Sequence, residues 1–290
     1  MLWVLLSLSS AFFSASMSAW LKKFFSDLSH YELVFCPLFY SMPLLVITYF
    51  FIPSPKLHPN FWYWLALLLP FQTVGFFCQM IAIHISPLSL TMPFLAFTPV
   101  FVVVTGAVFL HESLNVWGIA GILSIVVGAY VLHIDKKDKR LLAPIFVMFK
   151  NWGSILMFCA AFAYSFAAVF GKQAILYSSP TYFGMLFFII FNGLTIIVLI
   201  FSGKIRLGII CKRYPKGLIA GCAMYGDIIA HSLGVSFAKV AYFVSLKRLN
   251  ILISIFYASI FFQEKNLAIR SIGAIFMFAG AIVIVLFGSP

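Results

Sequence analysis

The chain has 290 residues, of which 63% are hydrophobic and 9% charged, and its mean hydropathy is +1.10. A soluble domain carries about 25% charged residues, so this supply cannot clothe a water-facing surface and the chain belongs in a lipid bilayer. The net charge of +12 falls mostly in short connections between apolar runs, where cations orient a membrane protein rather than bind nucleic acid.

The apolar runs stay apolar on every face for about 20 residues, the length of a helix crossing about 30 Å of hydrocarbon, whereas membrane strands alternate in polarity. In chain order they fall at 2–20, 33–52, 62–84, 89–110, 115–133, 152–171, 181–202, 216–237, 240–262 and 267–287. The fold class expected is therefore an all-α membrane protein with ten transmembrane helices. The first run ends in small residues up to Ala19, as a cleaved signal peptide would. No basic residue precedes it and Lys22 and Lys23 follow, so it is read as a retained helix.

The five cysteines are scattered, with neither metal-ligand spacing nor a disulfide framework. No nucleotide-binding Gly-x-x-x-x-Gly-Lys-Ser/Thr loop and no catalytic motif occurs, so the expectation is no enzyme activity, no cofactor and no metal.

The largest polar interruption runs from His133 to Arg140 and on to Lys150, dividing five apolar runs from five. The expected organisation is a first unit at 1–134, a basic central loop at 135–150 and a second unit at 151–290. Glu112 and Glu264, Gly121 and Gly273, and Gly128 and Gly280 are each 152 positions apart, which points to a duplication. Five crossings per unit would insert the two units oppositely, the inverted-repeat plan of many secondary transporters. Loops after odd-numbered runs hold most of the cations, which predicts a cell-membrane protein with the central loop cytoplasmic and both termini on the other side.

Ser86-Pro87-Leu88-Ser89-Leu90, then Thr98-Pro99 running on to His111-Glu112, and their echoes at Ala241 to Leu249 and Phe261 to Glu264, resemble the EamA-type, ten-helix members of the drug/metabolite transporter superfamily. That resemblance implies a secondary transporter built from two inverted five-helix repeats around a central cavity, without covalent chemistry, and with both termini cytoplasmic. Phosphate-exchanging relatives use an adjacent Lys-Arg pair on the ninth helix, which Lys247-Arg248 resembles. Leu95 and Ala96 stand at the matching offset in the first half, without a basic residue.

The candidate site is built on cost. A bare charge at the centre of a membrane helix costs about 2.5–3.5 kcal/mol on insertion scales, so it normally faces water, a partner or the bundle interior. Lys247 and Arg248 lie well inside the ninth run and are candidate substrate contacts, the alternatives being a structural ion pair or snorkelling at the interface. Asp227 and His231, four apart in the eighth run, share a helix face as a pair or proton relay. Asp227 would compensate one of the two cations. Gln72, Gln79, Asn192 and Tyr164 interrupt other apolar runs and are candidate cavity-lining groups, although buried polar groups need partners with or without a ligand. Glu112 and Glu264 are expected to be structural, accepting bonds from free N–H groups at the start of the helix that follows each. Gly121, Gly128, Gly273 and Gly280 are expected at close helix contacts.

The function expected is secondary transport of a small polar, anionic or zwitterionic metabolite. The alternatives are efflux of lipophilic or cationic compounds, or a non-transporting membrane scaffold. The partners expected are a small-molecule substrate, the lipid bilayer and a coupling proton or exchanged metabolite, with no nucleic acid.

Overall fold

The computed structural model describes residues 1–131, 151–262 and 267–288, and its elements there are all helical. We label them α1 (Leu2–Phe24), α2 (His30–Phe51), α3 (Asn60–Ile85), α4 (Leu88–Thr91), α5 (Thr98–Phe109), α6 (Val116–Val131), α7 (Trp152–Leu176), α8 (Pro180–Phe201), α9 (Leu207–Lys212), α10 (Tyr214–Ser236), α11 (Val240–Lys247), α12 (Asn250–Phe262) and α13 (Leu267–Phe287). A 3₁₀ turn, Met92–Phe97, joins α4 to α5. The expected loop at 135–150 and Glu264 lie outside the described residues.

The expectation of ten spans in two inverted units of five is corrected by helix length. Among the described residues, seven helical stretches are long and apolar enough to cross a membrane: α1, α2, α3, α7, α8, α10 and the stretch Val240–Phe261 that holds α11 and most of α12. Among the described residues three shorter apolar stretches remain, Phe94–Phe109, Val116–Val131 and Ile272–Phe287, the last being part of the 21-residue α13. The fourth expected run is cut into α4, the 3₁₀ turn and α5. Pro87, Pro93 and Pro99 supply no N–H there, so a continuous i to i−4 ladder cannot form. The architecture is an all-α membrane bundle of seven candidate spans with shorter helices packed among them.

Small and hydroxyl side chains let the helices approach, since apolar burial gives little drive for association within lipid. The buried face of α1 carries Ser7, Ser10, Ser14 and Ser18, and Ser7 and Ser18 satisfy their hydroxyls on the carbonyls of Trp3 and Ser14. That face packs on α10, itself rich in glycine and alanine. Helices α6 and α13 lie antiparallel: a Cβ on Gly121 would stand 2.7 Å from the Gly280 carbonyl oxygen, and one on Gly128 2.6 Å from that of Gly273. Ser124 donates across the same seam to the Phe276 carbonyl at 2.8 Å.

One end of the bundle gathers cations and is tied by them. Arg213 makes a fork to Asp27 at 2.7 and 2.6 Å, and Arg206 another to the fully buried Glu32 at 2.8 Å from each nitrogen. Glu32 also closes a capping box with Ser29 at the start of α2. Lys22 reaches the carbonyls of Ile83 and Ser86 at the end of α3. The Arg213 guanidinium holds the Asp27 carboxyl below its usual range, and the pairing raises Arg213 in turn.

Candidate substrate-binding cavity

The span Val240–Phe261 is not one helix. Its first half, α11, ends at Lys247, Leu249 N donates to Leu246 O in a tight turn, and α12 begins at Asn250. The two cations that look like mid-helix residues in sequence therefore stand at a discontinuity inside the bundle. The carbonyl end of α11 carries partial negative charge, which favours cations at that place, and broken helices at membrane depth are tolerated where they are buried in protein or line a cavity.

A cavity lies against this break, bounded by α1, α3, α7, α8, α10 and α11. It offers about 120 Å³ of space that water can reach, well above the roughly 15 Å³ that one water needs. Ser14, Gln79, Asp227, Lys247 and Arg248 mark its inner part. From there it runs along the halves of α7, α8 and α10 that point away from the basic end, toward Phe183, Val235 and Lys172.

Asp227 and Lys247 form a pair at 2.8 Å, with side chains 21% and 13% exposed. Ser10 donates to the same carboxylate oxygen, and the Lys247 ammonium also stands 3.3 Å from His231 Nδ1. For the ammonium to donate there, the imidazole carries its proton on Nε2. The His231 ring meets Phe243 edge-on, with centroids 5.1 Å apart. Arg248 is different. It is 6% exposed, lines the cavity, makes no ion pair among the described residues, and its Nε has no hydrogen-bond partner there.

Across the cavity the Tyr164 hydroxyl donates to Gln79 Oε1 at 2.7 Å, which fixes that amide with its NH₂ group turned away from the phenol. The Tyr164 ring lies over Gly75, where a Cβ would come within 2.8 Å of it, so α3 and α7 meet closely at this point. Gln72 lines the cavity as well. Asn192 does not: it is buried between α8 and α2, donating to Ser41 Oγ at 3.0 Å.

Glu112 departs from expectation. The helix that follows it, α6, is capped by Asn115, whose side chain accepts from Gly118 N at 2.7 Å. The Glu112 carboxylate instead accepts from Val240 N at 3.0 Å, at the start of α11, and pairs with Lys172 at 2.8 Å. The turn at His111, with φ of 53°, sends the carboxylate across the bundle rather than along the chain. Lys172, which sequence placed in a loop, belongs to α7 and lines the cavity. It and Ser10 are neighbours of the candidate residues that sequence reasoning missed. A lysine four residues from a helix end and one serine among many carry no distinguishing signal until their neighbours are known.

Residues 1–134 match the EamA-like transporter family. That match covers 134 of the 290 residues. The seven candidate spans among the described residues agree with a multi-pass membrane protein. A solved structure named "Crystal structure of protein" is similar in fold, with a TM-score of 0.70 and 13% identity over 98% of this chain and 96% of that one. No curated protein matches in sequence.

Proposed function

We propose that this EamA-like chain is a secondary carrier of a small monoanion, with Arg248 as the group that receives the negative charge. The observation that carries this reading is the buried guanidinium facing the cavity without an acidic partner among the described residues. A buried cation without a counter-charge is costly, and an anion entering from the cavity would relieve that cost. The neighbouring charges support a single negative charge on the substrate. Lys247 is balanced by Asp227 and Lys172 by Glu112, so Arg248 alone remains to be compensated. The Gln79 amide supplies a further donor facing the same space.

Asp227, Lys247 and His231 form the proposed seat of a coupling proton. A proton shared in this cluster would link the state of the Asp227–Lys247 pair to the occupancy of Arg248, so proton and anion would move together. The broken helix supports such rearrangement, since its turn at Arg248–Leu249 has fewer ladder bonds to lose than a continuous span.

The test is a thermal-stability screen of the full chain in detergent against monocarboxylates, dicarboxylates, amino acids, organic phosphates and organic cations. A ligand at 100 times its Kd stabilises by about 2.7 kcal/mol. An anion that stabilises the native protein and not Arg248→Gln, and that is taken up by proteoliposomes, is the expected result. Stabilisation by organic cations that survives in Arg248→Gln and is lost in Asp227→Asn would overturn the reading.

A further inference from the structure

We infer that the transported anion is a monocarboxylate with an uncharged, apolar body, seated with its carboxylate at Arg248 and its body directed toward the Lys172 end of the cavity. This rests on the reading of Arg248 as the anion-binding group and adds to it the chemistry of the rest of the molecule.

The cavity's polar side chains are concentrated at its inner end. Its inner part presents Arg248, Gln79 and the Asp227–Lys247 pair. Outward from these, the walls are chiefly Leu68, Phe183, Phe187, Ile175 and Val235, with Gln72 and Lys172 as the polar side chains among them. Polar groups on the body that reach neither Gln72 nor Lys172 would be left without partners, at a cost of about 1–3 kcal/mol each. An apolar body loses nothing there and gains by leaving water, about fourfold in affinity per buried methylene.

Charge bookkeeping narrows the head group. A dicarboxylate or a doubly ionised phosphate needs a second uncommitted cation near Arg248. Lys247 is held by Asp227, and Lys172 by both Glu112 and the Ala238 carbonyl at 2.6 Å. An α-ammonium group needs a carboxylate, and the charge of Asp227 is already balanced by Lys247. A single carboxylate without a balancing ammonium fits what remains.

The chain also leaves room for a body of some width. Ala167, Ala168 and Gly171 form the α7 face of the cavity, and a Cβ on Gly171 would meet Phe183 Cζ at 3.4 Å and Leu68 Cδ2 at 3.9 Å, ordinary contact distances. A small side chain is thus accommodated at Gly171, and a larger one grows into the space assigned to the body.

The experiment is calorimetric titration of the full chain in detergent with acetate, hexanoate, succinate, inorganic phosphate and norleucine, the last being hexanoate with an added ammonium. Arg248→Gln sets the background, because hexanoate partitions into the micelle equally in both proteins. The expected result is hexanoate binding at least tenfold tighter than any of the other four, and lost in Arg248→Gln. Gly171→Leu is expected to weaken hexanoate at least tenfold while leaving acetate unchanged. Succinate, phosphate or norleucine binding as tightly as hexanoate, or acetate matching it, overturns the apolar-body inference while leaving Arg248 as an anion site. Binding of none of the five to the native chain overturns both.

Discussion

Replacing Lys247 and Arg248 separately by Met should move stability in opposite directions. Lys247→Met removes the ion-pair partner of Asp227 and leaves that carboxylate, among the described residues, with the Ser10 hydroxyl. Breaking a buried pair costs about 3–5 kcal/mol, and the residual exposure of 13% and 21% places this one at the lower end, about 3 kcal/mol. Arg248→Met removes a buried charge that has no acidic partner among the described residues, and Met fills much of the same volume. That change should be neutral or stabilising by about 1–2 kcal/mol. At roughly 2–4 °C per kcal/mol, the unfolding midpoint should fall by about 6–12 °C in the first variant and hold or rise by a few degrees in the second. The assay is thermal unfolding of detergent-purified protein at pH 7 in a buffer free of small anions, which would otherwise occupy the native site. A fall of similar size in both variants would mean that Arg248 is a structural tie, and the case for an open anion site would collapse.

Glu112→Gln should destabilise by about 2–4 kcal/mol, because it strands Lys172 and weakens the cap on α11, and Lys172→Met in the same background should recover part of the loss, as read by the same unfolding assay. Gly128→Val should separate α6 from α13, since even its first carbon would lie 2.6 Å from backbone; it should lower the unfolding midpoint by more than the same change at Gly208, which has nothing within 4 Å. At the basic end, the pairing with Arg213 lowers Asp27 from its ordinary value of 3.8. The stabilisation is thus complete above that value and disappears as pH falls through the lower folded value. Asp27→Asn should remove this part of the acid dependence, measured as unfolding midpoint against pH, and an unchanged acid limb would show that the pair adds nothing.

The membrane class and most of the spans were legible because they depend on composition summed over about 20 residues, which does not depend on what packs against what. The cations and acid of the site were legible for a related reason: a charge inside an apolar run is costly wherever the chain puts it, so Lys247, Arg248 and Asp227 stand out without coordinates. The count of ten was not secure. Windows of hydropathy pass over Pro93 and Pro99, and over the turn at Arg248, because breaking a helix takes one or two backbone bonds and barely alters the average. Gln72 and Asn192 looked alike in sequence, yet one lines the cavity and the other ties α8 to α2, since which face of a helix meets water is decided by its neighbours.

Sequence by itself determined that this chain lives in lipid, that its charges are too few to be idle, and which residues would have to answer for them. Only the tertiary structure decided the pairing: that Asp227 takes Lys247 while Arg248 makes no ion pair among the described residues, and that Glu112 reaches across to α11 and Lys172 rather than along its own chain. The physical reason is one of range. Hydrophobic transfer acts on each segment where it stands, whereas ion pairs form within a few ångströms, between groups that folding brings together from opposite parts of the chain.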